Sequence, residues 1–299
     1  MSEPTNAPDR VEELRKRLLA ERYVADRGLS MAIHLALTLH RPLLIEGEAG
    51  VGKTEVAKVL ASILDTRLIR LQCYEGIDIN HAVYEWNYAR QMLHIRASER
   101  SDNTAHLSED VFGPEFLVKR PLLQAIETES GRPPVLLIDE IDRADEEFEA
   151  FLLELLSDYQ ITIPELGTIR AEKPPVVILT SNRTREVHDA LKRRCLYYWI
   201  DYPSLEKELA IILARIPEAP ELLARHVCAA VQQLRALDLQ KLPGIAETLD
   251  WTAALHSLGQ RDLEEGLARE TLCAILKMQE DVELVLPSLE SLVARARLA

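Results

Sequence analysis

Apolar residues recur at helical spacing from Asp9 to about His40, with a break expected at Arg27-Gly28. Charge dominates the first half of that segment (VEELRKRLLAER) and apolar residues the second (LSMAIHLALTL). Pro42 to Ile45 is a short apolar run that suits a buried strand. From Thr54 onward (TEVAKVLASIL) the spacing puts Val56, Ala57, Leu60, Ile63 and Leu64 on one helical face. Thr66 to Leu71 alternates like a strand. Tyr74 to Ala97 holds Trp86 between Tyr84 and Tyr88 and is too aromatic for a plain linker, whereas Ser98 to Asp110 reads as a polar loop. The pattern predicts a helix over Phe116 to Glu129, broken or bent at Pro121 and stopped by Gly131-Arg132-Pro133-Pro134. Val135 to Ile138 is a buried strand that ends at Asp139-Glu140. Glu146 to Tyr159 is a helix with the apolar stripe Phe148, Phe151, Leu152, Leu155 and Leu156.

Ile161 to Ile163 and Thr168 to Arg170 flank Pro164-Glu165-Leu166-Gly167 and predict a β-hairpin over about 160–172. Val176 to Leu179 and Leu196 to Ile200 are two further strands. After Tyr202-Pro203-Ser204 the strands stop, and four or five amphipathic helices fill the remainder, separated near Pro217 to Pro220, Leu242-Pro243-Gly244, Gly259 and Pro287. The expected organisation is a disordered tail over 1–8, an α/β domain over 9–203 and an all-helical domain over 204–299. Strands alternating with helices argue for a five-stranded, mainly parallel sheet covered on both faces.

Composition narrows the functional classes. A chain of 299 residues with 47% hydrophobic and 28% charged residues has enough apolar side chains for a sizeable core in about two domains. The formal net charge of −14 opposes generic binding to nucleic acid or to an anionic membrane. The basic residues Arg90, His94, Arg96 and Arg100 with their interleaved aromatics are the minority reading on that point. Cys73, Cys195, Cys228 and Cys273 lie far apart and read as buried reduced thiols, and the eight histidines show no metal-ligand spacing. His34 and His40 read as packing or capping residues of an apolar helix. Neither a signal peptide nor a membrane span is expected, so the cytoplasm is the expected location.

Gly47-Glu48-Ala49-Gly50-Val51-Gly52-Lys53-Thr54 matches G-x-x-x-x-G-K-T, the phosphate-binding P-loop pattern, and it falls between a predicted strand and a predicted helix. Glycine is needed there because the backbone must reach positive φ and let phosphate oxygens approach its N–H groups. The helix start adds partial positive charge. Lys53 would reach the β- and γ-phosphates of a nucleotide, and the Thr54 hydroxyl would ligate Mg²⁺. Asp139-Glu140 closes an apolar strand downstream, the Walker B arrangement, in which Asp139 holds Mg²⁺ through its water shell and Glu140 polarises the attacking water. The neighbouring Glu146, Glu147 and Glu149 read as a solvated helix face. Asn182, beyond the strand Val176 to Leu179, either touches the γ-phosphate or lytic water or simply forms a turn before Arg183. Lys192-Arg193-Arg194 is solvated charge in a single chain; in an oligomer it offers an arginine finger for the neighbour's γ-phosphate. Trp199 and Trp251 read as core or domain-seam residues.

P-loop, Walker B, strand-end Asn, Arg-rich turn and helical lid, in this order, resemble an AAA+ ATPase. Asp139-Glu140-Ile141-Asp142-Arg143-Ala144 is similar to the D-E-I-x-R-A of the MoxR group. Tyr84 to Gln91 falls in that group's insert in the second helix (about 76–97), and Ile161 to Ala171 falls in its hairpin before sensor 1. Three phrases, YEWNYARQMLHIRA, IPELGTIRAEKPPVVILTSNRTREVHDALKRRC and YWIDYPSLEKELAII, resemble the accessory ATPases encoded with molybdenum–copper carbon monoxide dehydrogenase. The resemblance implies an AAA+ P-loop NTPase core followed by a C-terminal all-helical lid, with ATP and Mg²⁺ as ligands. It implies Asn182 as sensor 1, Arg194 as the finger with Arg193 as the alternative, and a homohexameric ring. It also implies a von Willebrand A-domain partner and a client metalloenzyme, carbon monoxide dehydrogenase or another molybdenum hydroxylase, whose copper–sulfur–molybdenum centre is matured. The helix that often carries a sensor 2 arginine in relatives reads Gly244-Ile-Ala-Glu-Thr-Leu-Asp250-Trp251 here, and sensor 2 stays unassigned. The competing classes are a nucleotide-gated binding module with slow hydrolysis, a nucleic-acid motor and, least favoured, a small-molecule kinase.

Overall fold

A computed structural model describes residues 7–99, 111–127 and 131–298. Residues 1–6 of the expected tail and residues 100–110 of the expected loop lie outside the described residues, while Ala7 and Pro8 already belong to helix α1 (Ala7–Ala20). Helix α2 (Arg27–Leu39) follows, with its first turn tied by the Leu29 N–H donating to Asp26 Oδ1 at 2.8 Å. The expected break therefore spans the residues before Arg27, and Gly28 lies inside the helix.

Strand β1 (Leu43–Gly47) is buried along its whole length and leads into helix α3 (Lys53–Ile63) and strand β2 (Leu68–Gln72). Strands β5 (Val135–Asp139), β8 (Val176–Ser181) and β9 (Leu196–Ile200) complete a five-stranded sheet in the order β2-β5-β8-β1-β9. Between β2 and β5 lie α4 (Ile79–Ala82), β3 (Tyr84–Trp86), α5 (Tyr88–Glu99), β4 (Leu117–Lys119) and α6 (Pro121–Ile126). Helix α7 (Glu146–Asp158) and the strands β6 (Gln160–Ile163) and β7 (Gly167–Arg170) lie between β5 and β8, and α8 (Asp189–Arg194) precedes β9.

The pairs β1/β8, β5/β8 and β2/β5 are parallel, with Leu44 opposite Leu179, Leu136 opposite Val177 and Gln72 opposite Asp139. Interior parallel strands are covered on both faces, which is why β1 and β5 read as unbroken apolar runs rather than alternating ones. β2, at the sheet edge, alternates: Ile69 and Leu71 are buried and Arg70 and Gln72 point outward. Because β1, β5 and β8 are parallel neighbours, Glu46, Asp139 and Ser181 close their strands on one edge of the sheet.

Two expectations are corrected here. Of the described part of Phe116 to Glu129, the stretch before Pro121 is not α-helical. Phe116 ends a 3₁₀ turn, Leu117–Lys119 is strand β4, paired antiparallel with β3 so that Trp86 faces Leu117, and the α-helix runs over Pro121–Ile126. The Arg120 N–H donates to Val83 O at 2.9 Å, so the insert's strand claims the backbone that periodicity assigned to a helix. Glu149 is not part of a solvated face. It is 1% exposed, while Glu146 and Glu147 are exposed as expected. Its Oε1 accepts from Arg185 and its Oε2 from the His188 N–H at 2.7 Å. The hairpin is observed, with Ile161 opposite Ile169.

The chain divides into two compact units. One comprises residues 31–46 and 60–198, and its core runs from Leu44, Leu136 and Leu179 in the sheet to Leu122, Phe148, Leu152 and Val187. The other comprises the described residues of 1–30, 47–59 and 199–299. Its C-terminal part holds seven α-helices among the described residues: α9 (Leu205–Arg215), α10 (Glu221–Arg235), α11 (Ile245–Ser257), α12 (Glu265–Glu270), α13 (Leu272–Ile275), α14 (Gln279–Val285) and α15 (Leu289–Ala296). Short helices α12 to α14 account for the excess over the four or five expected. Trp251 is fully buried among Leu223, Val227, Leu255, Leu272 and Leu289, with its indole N–H donating to Thr271 Oγ1 at 2.8 Å. Glu208 and Arg235 form a buried fork with two N–H donors each 2.7 Å from the carboxylate, and Thr248 donates to the same Glu208. The Arg235 guanidinium also lies 4.8 Å over the Tyr202 ring.

Candidate functional site

The glycine-rich loop leaves β1 and enters α3. Gly50 and Gly52 adopt φ of +75° and +90°, the left-handed region that disfavours any Cβ. Gly47 has a different reason to be glycine, since a Cβ there would lie 2.1 Å from Ile200 O. Val51 is buried and anchors the loop, whereas Glu48, Ala49 and Gly50 are exposed, so they offer mainly backbone. Lys53 is 6% exposed and its ammonium donates to Gly47 O at 2.9 Å and Glu48 O at 2.6 Å. The side chain therefore bridges the helix end and the strand end of the loop. Thr54 is half-buried in the first turn of α3.

That turn is fixed by Glu55, which pairs with Arg215 at 2.7 Å and Lys58 at 3.1 Å. Burial pushes the Glu55 carboxyl up, but the hydrogen bonds from Arg215 and Lys58 outweigh it and hold the group below the ordinary carboxylate range. The start of α11 meets the same loop. The Ile245 N–H donates to Gly50 O at 3.0 Å, and a Cβ on Gly244 would lie 2.8 Å from Gly50 Cα. Glu247 caps this helix start by accepting from the Gly244 N–H at 2.9 Å. At the place where relatives' resemblance suggested an arginine, the group next to the loop is thus a carboxylate.

In the other unit, Asp139 closes β5 and is 2% exposed. Its Oδ1 accepts from Thr180 Oγ1 at 2.5 Å, and its Oδ2 accepts from Arg70 Nε at 3.0 Å and Nη2 at 2.6 Å. Thr180 also accepts the Glu140 N–H at 3.0 Å. Glu140 has φ of +55°, a strained backbone for a residue with a Cβ, and pairs with Arg143 at 3.0 Å. Asp142 is buried and accepts from both the N–H and the hydroxyl of Thr184, at 2.8 and 2.7 Å. Asn182 sits just past β8, half-buried, and its amide makes no hydrogen bond among the described residues. Arg183 beside it has φ of +58° and lies 3.9 Å from the buried Glu46, which also accepts from Tyr197 Oη at 3.0 Å. Burial, then that hydrogen bond and the Glu46 charge, raise the Tyr197 phenol above its ordinary value.

Arg193 and Arg194 end α8, and Arg41 grips their carbonyls at 2.7 and 3.2 Å. Arg194 donates to Ser157 Oγ at 2.5 Å and Ala190 O at 3.3 Å. Arg193 is exposed, and its guanidinium has no hydrogen bond or ion pair among the described residues. The loop, the two acids, the strand-end amide and the basic turn thus stand at the strand and helix ends that the sequence pattern predicts. Sequence reasoning missed Thr180 and Arg70, which hold Asp139; the only trace of Arg70 in the sequence is a cation on the outward face of an edge strand.

Thr54 in one unit and Asp139 in the other each carry a hard oxygen donor of the kind Mg²⁺ takes, and the positive-φ loop with its bridging ammonium suits a polyphosphate. Among the described residues no group of three or more His, Cys, Asp and Glu side chains could hold a metal ion by itself. No helix among them is long and apolar enough to cross a membrane.

The family model for the AAA domain (dynein-related subfamily) matches residues 42–195, over half of the chain. An uncharacterised protein of Staphylococcus epidermidis is 24% identical over 209 residues, covering 68% of this chain and 71% of that one. Among solved structures, a variant of RuvB from Thermotoga maritima is similar at a TM-score of 0.49 and 16% identity, covering 91% of this chain and 71% of that chain. RuvB of the same organism, described as a Holliday junction branch migration motor, is similar at a TM-score of 0.46 and 15% identity, with 93% and 74% covered.

Proposed function

Since the chain belongs to the AAA domain family, dynein-related subfamily, we propose that it binds ATP with Mg²⁺ and hydrolyses it to drive remodelling of a client protein. The observation that carries this reading is the loop itself: Gly50 and Gly52 at positive φ, with the Lys53 ammonium bridging Gly47 O and Glu48 O. Loop N–H groups from Glu48 to Thr54 cradle the phosphates, and Lys53 gives up its loop carbonyls for phosphate oxygens. By the resemblance, Thr54 and Asp139 would hold Mg²⁺, which would neutralise phosphate charge when bound. Glu140 takes the proton of the attacking water, and the half-buried amide of Asn182 orients that water. A neighbouring subunit supplies the finger. Arg194 is engaged with Ser157 and Ala190 in its own chain, which favours Arg193 over the Arg194 first expected.

The finer reading is a MoxR-type chaperone that works as a homohexameric ring in the cytoplasm, with a von Willebrand A-domain partner, on carbon monoxide dehydrogenase or a related molybdenum hydroxylase. Its support is the resemblance of D-E-I-D-R-A and the three longer phrases, together with a β6–β7 hairpin within about 160–172; of the insert expected at about 76–97, β3 lies inside those bounds and its partner β4 outside them. Titration of the wild type and Lys53→Ala with ATP and Mg²⁺ tests the nucleotide part. Binding by the wild type and its loss in the variant are expected, and equal affinity in both overturns the assignment. Affinity purification from the native host tests the rest, since a molybdenum hydroxylase and an A-domain protein must co-purify.

A further inference from the structure

The Arg70–Asp139 pair joins a buried group to a half-exposed one, as Arg183–Glu46 does at 3.9 Å, but here two donors lie within 3.0 Å of one carboxylate oxygen. Asp139 has a side chain 3% exposed and cannot relocate, since Thr180 holds its other oxygen. Arg70 has a side chain 51% exposed and reaches Asp139 from the neighbouring edge strand, where its donors Nε and Nη2 converge on the single oxygen Oδ2. A buried carboxylate without a partner is strongly penalised, so some cation or donor must sit on Oδ2 whenever Asp139 is ionised. A second acceptor is already provided for the guanidinium. Nη2 also donates to Gln72 Oε1 at 2.5 Å, two residues along on the same outward face of β2.

We propose that Arg70 is a place-holder for the metal. Its guanidinium occupies Oδ2 of Asp139 in the nucleotide-free chain and retreats onto Gln72 when Mg²⁺ with its water shell takes the carboxylate. This rests on the nucleotide reading above and goes beyond it, because it makes metal affinity the outcome of a competition. Two cations cannot share one oxygen without mutual repulsion, and the exposed one is free to leave. Asp139 is neutralised at every stage, so the strand end keeps its geometry between turnovers. Arg70 is therefore a positioning residue that sets how much metal the site requires; it touches neither phosphate nor water.

The test is Mn²⁺ binding to the full chain in the presence of ADP, read from the free Mn²⁺ resonance without any turnover. Arg70→Ala removes the competitor and should tighten Mn²⁺ by about ten-fold, ~1.4 kcal/mol. Gln72→Ala, an exposed substitution that leaves the fold alone, removes the parking acceptor and should weaken Mn²⁺ by roughly two- to three-fold. Arg67→Ala removes a nearby exposed cation that donates to Gln124 O instead, and should leave the affinity within about two-fold. Unchanged or weaker Mn²⁺ binding in Arg70→Ala overturns the proposal, as does equal tightening in Arg67→Ala. Should Arg70→Ala not fold, an unchanged affinity in Gln72→Ala overturns it alone. Failure of the wild type to bind ADP at all would instead contradict the nucleotide reading.

Discussion

Thr180 Oγ1 lies 2.5 Å from Asp139 Oδ1, and the same hydroxyl receives the Glu140 N–H, so one side chain on β8 ties both acids that end β5. Thr180→Val keeps the shape but removes one donor from the buried Asp139 Oδ1 and the acceptor of the Glu140 N–H. Stability should fall by about 1–3 kcal/mol, read as a shift in the urea midpoint, and ATP turnover should fall with it. Thr180→Ser keeps the hydroxyl and should restore most of both. A valine variant as stable as the wild type would show that the two bonds contribute nothing.

The loop glycines make separable predictions. Gly52→Ala puts a Cβ on a residue at φ +90° with no close neighbour, the nearest atom being Tyr23 Cε2 at 4.0 Å. Only backbone strain of about 1–2 kcal/mol opposes it, and the expected result is weakened binding of a fluorescent ATP analogue with the thermal midpoint lowered by about 2–6 °C. Gly244→Ala adds a Cβ 2.8 Å from Gly50 Cα and 2.9 Å from Ala49 O, both backbone atoms. It should disturb both readouts, because the start of α11 must move off the loop.

Three of the four thiols should be inert. Burial, then the Asp139 charge, push the Cys73 thiol up to about 12, burial alone takes Cys195 to about 12, and Cys228 is raised by burial and Glu208. Cys273, expected to be buried with the others, is exposed, because its short helix buries Leu272 and Ile275 instead. A thiol-specific chromogenic reagent near neutral pH should therefore titrate one cysteine in the native chain and four after unfolding. Fast reaction of Cys73 would show that the strand end of β2 opens readily.

The Glu208–Arg235 fork is buried on both sides, with side chains 0% and 7% exposed. Removing Arg235 leaves the buried Glu208 carboxylate with only the neutral donors Thr248 and Gln232, so Arg235→Ala should lower stability by roughly 3–5 kcal/mol. The thermal midpoint of the full chain checks it, and a shift of less than a degree or two would contradict the expected penalty.

What could be read from the sequence divides along a physical line. Burial and backbone conformation leave marks on single residues: apolar runs at β1 and β5, and glycines where φ is positive at Gly50 and Gly52. Meetings between polar side chains leave no such mark. Glu149 sits in an acidic run, and nothing in that run announces Arg185, 36 residues away, as its partner. Arg70 and Asp139 are separated by 69 residues, and Arg194 and Ser157 by 37. Strand β4 was misread because three residues are too few to show a period, and its strand character comes from pairing with β3.

The central claim is hydrolysis carried by Glu140 in a chain that binds through Lys53. Phosphate release from ATP by the wild type and by Glu140→Gln, each with its nucleotide affinity measured alongside, tests it most directly. The account predicts steady release by the wild type and release lowered by at least about a hundred-fold in the variant, with ATP affinity kept or increased. Undiminished release by Glu140→Gln, with ATP still bound, would contradict it.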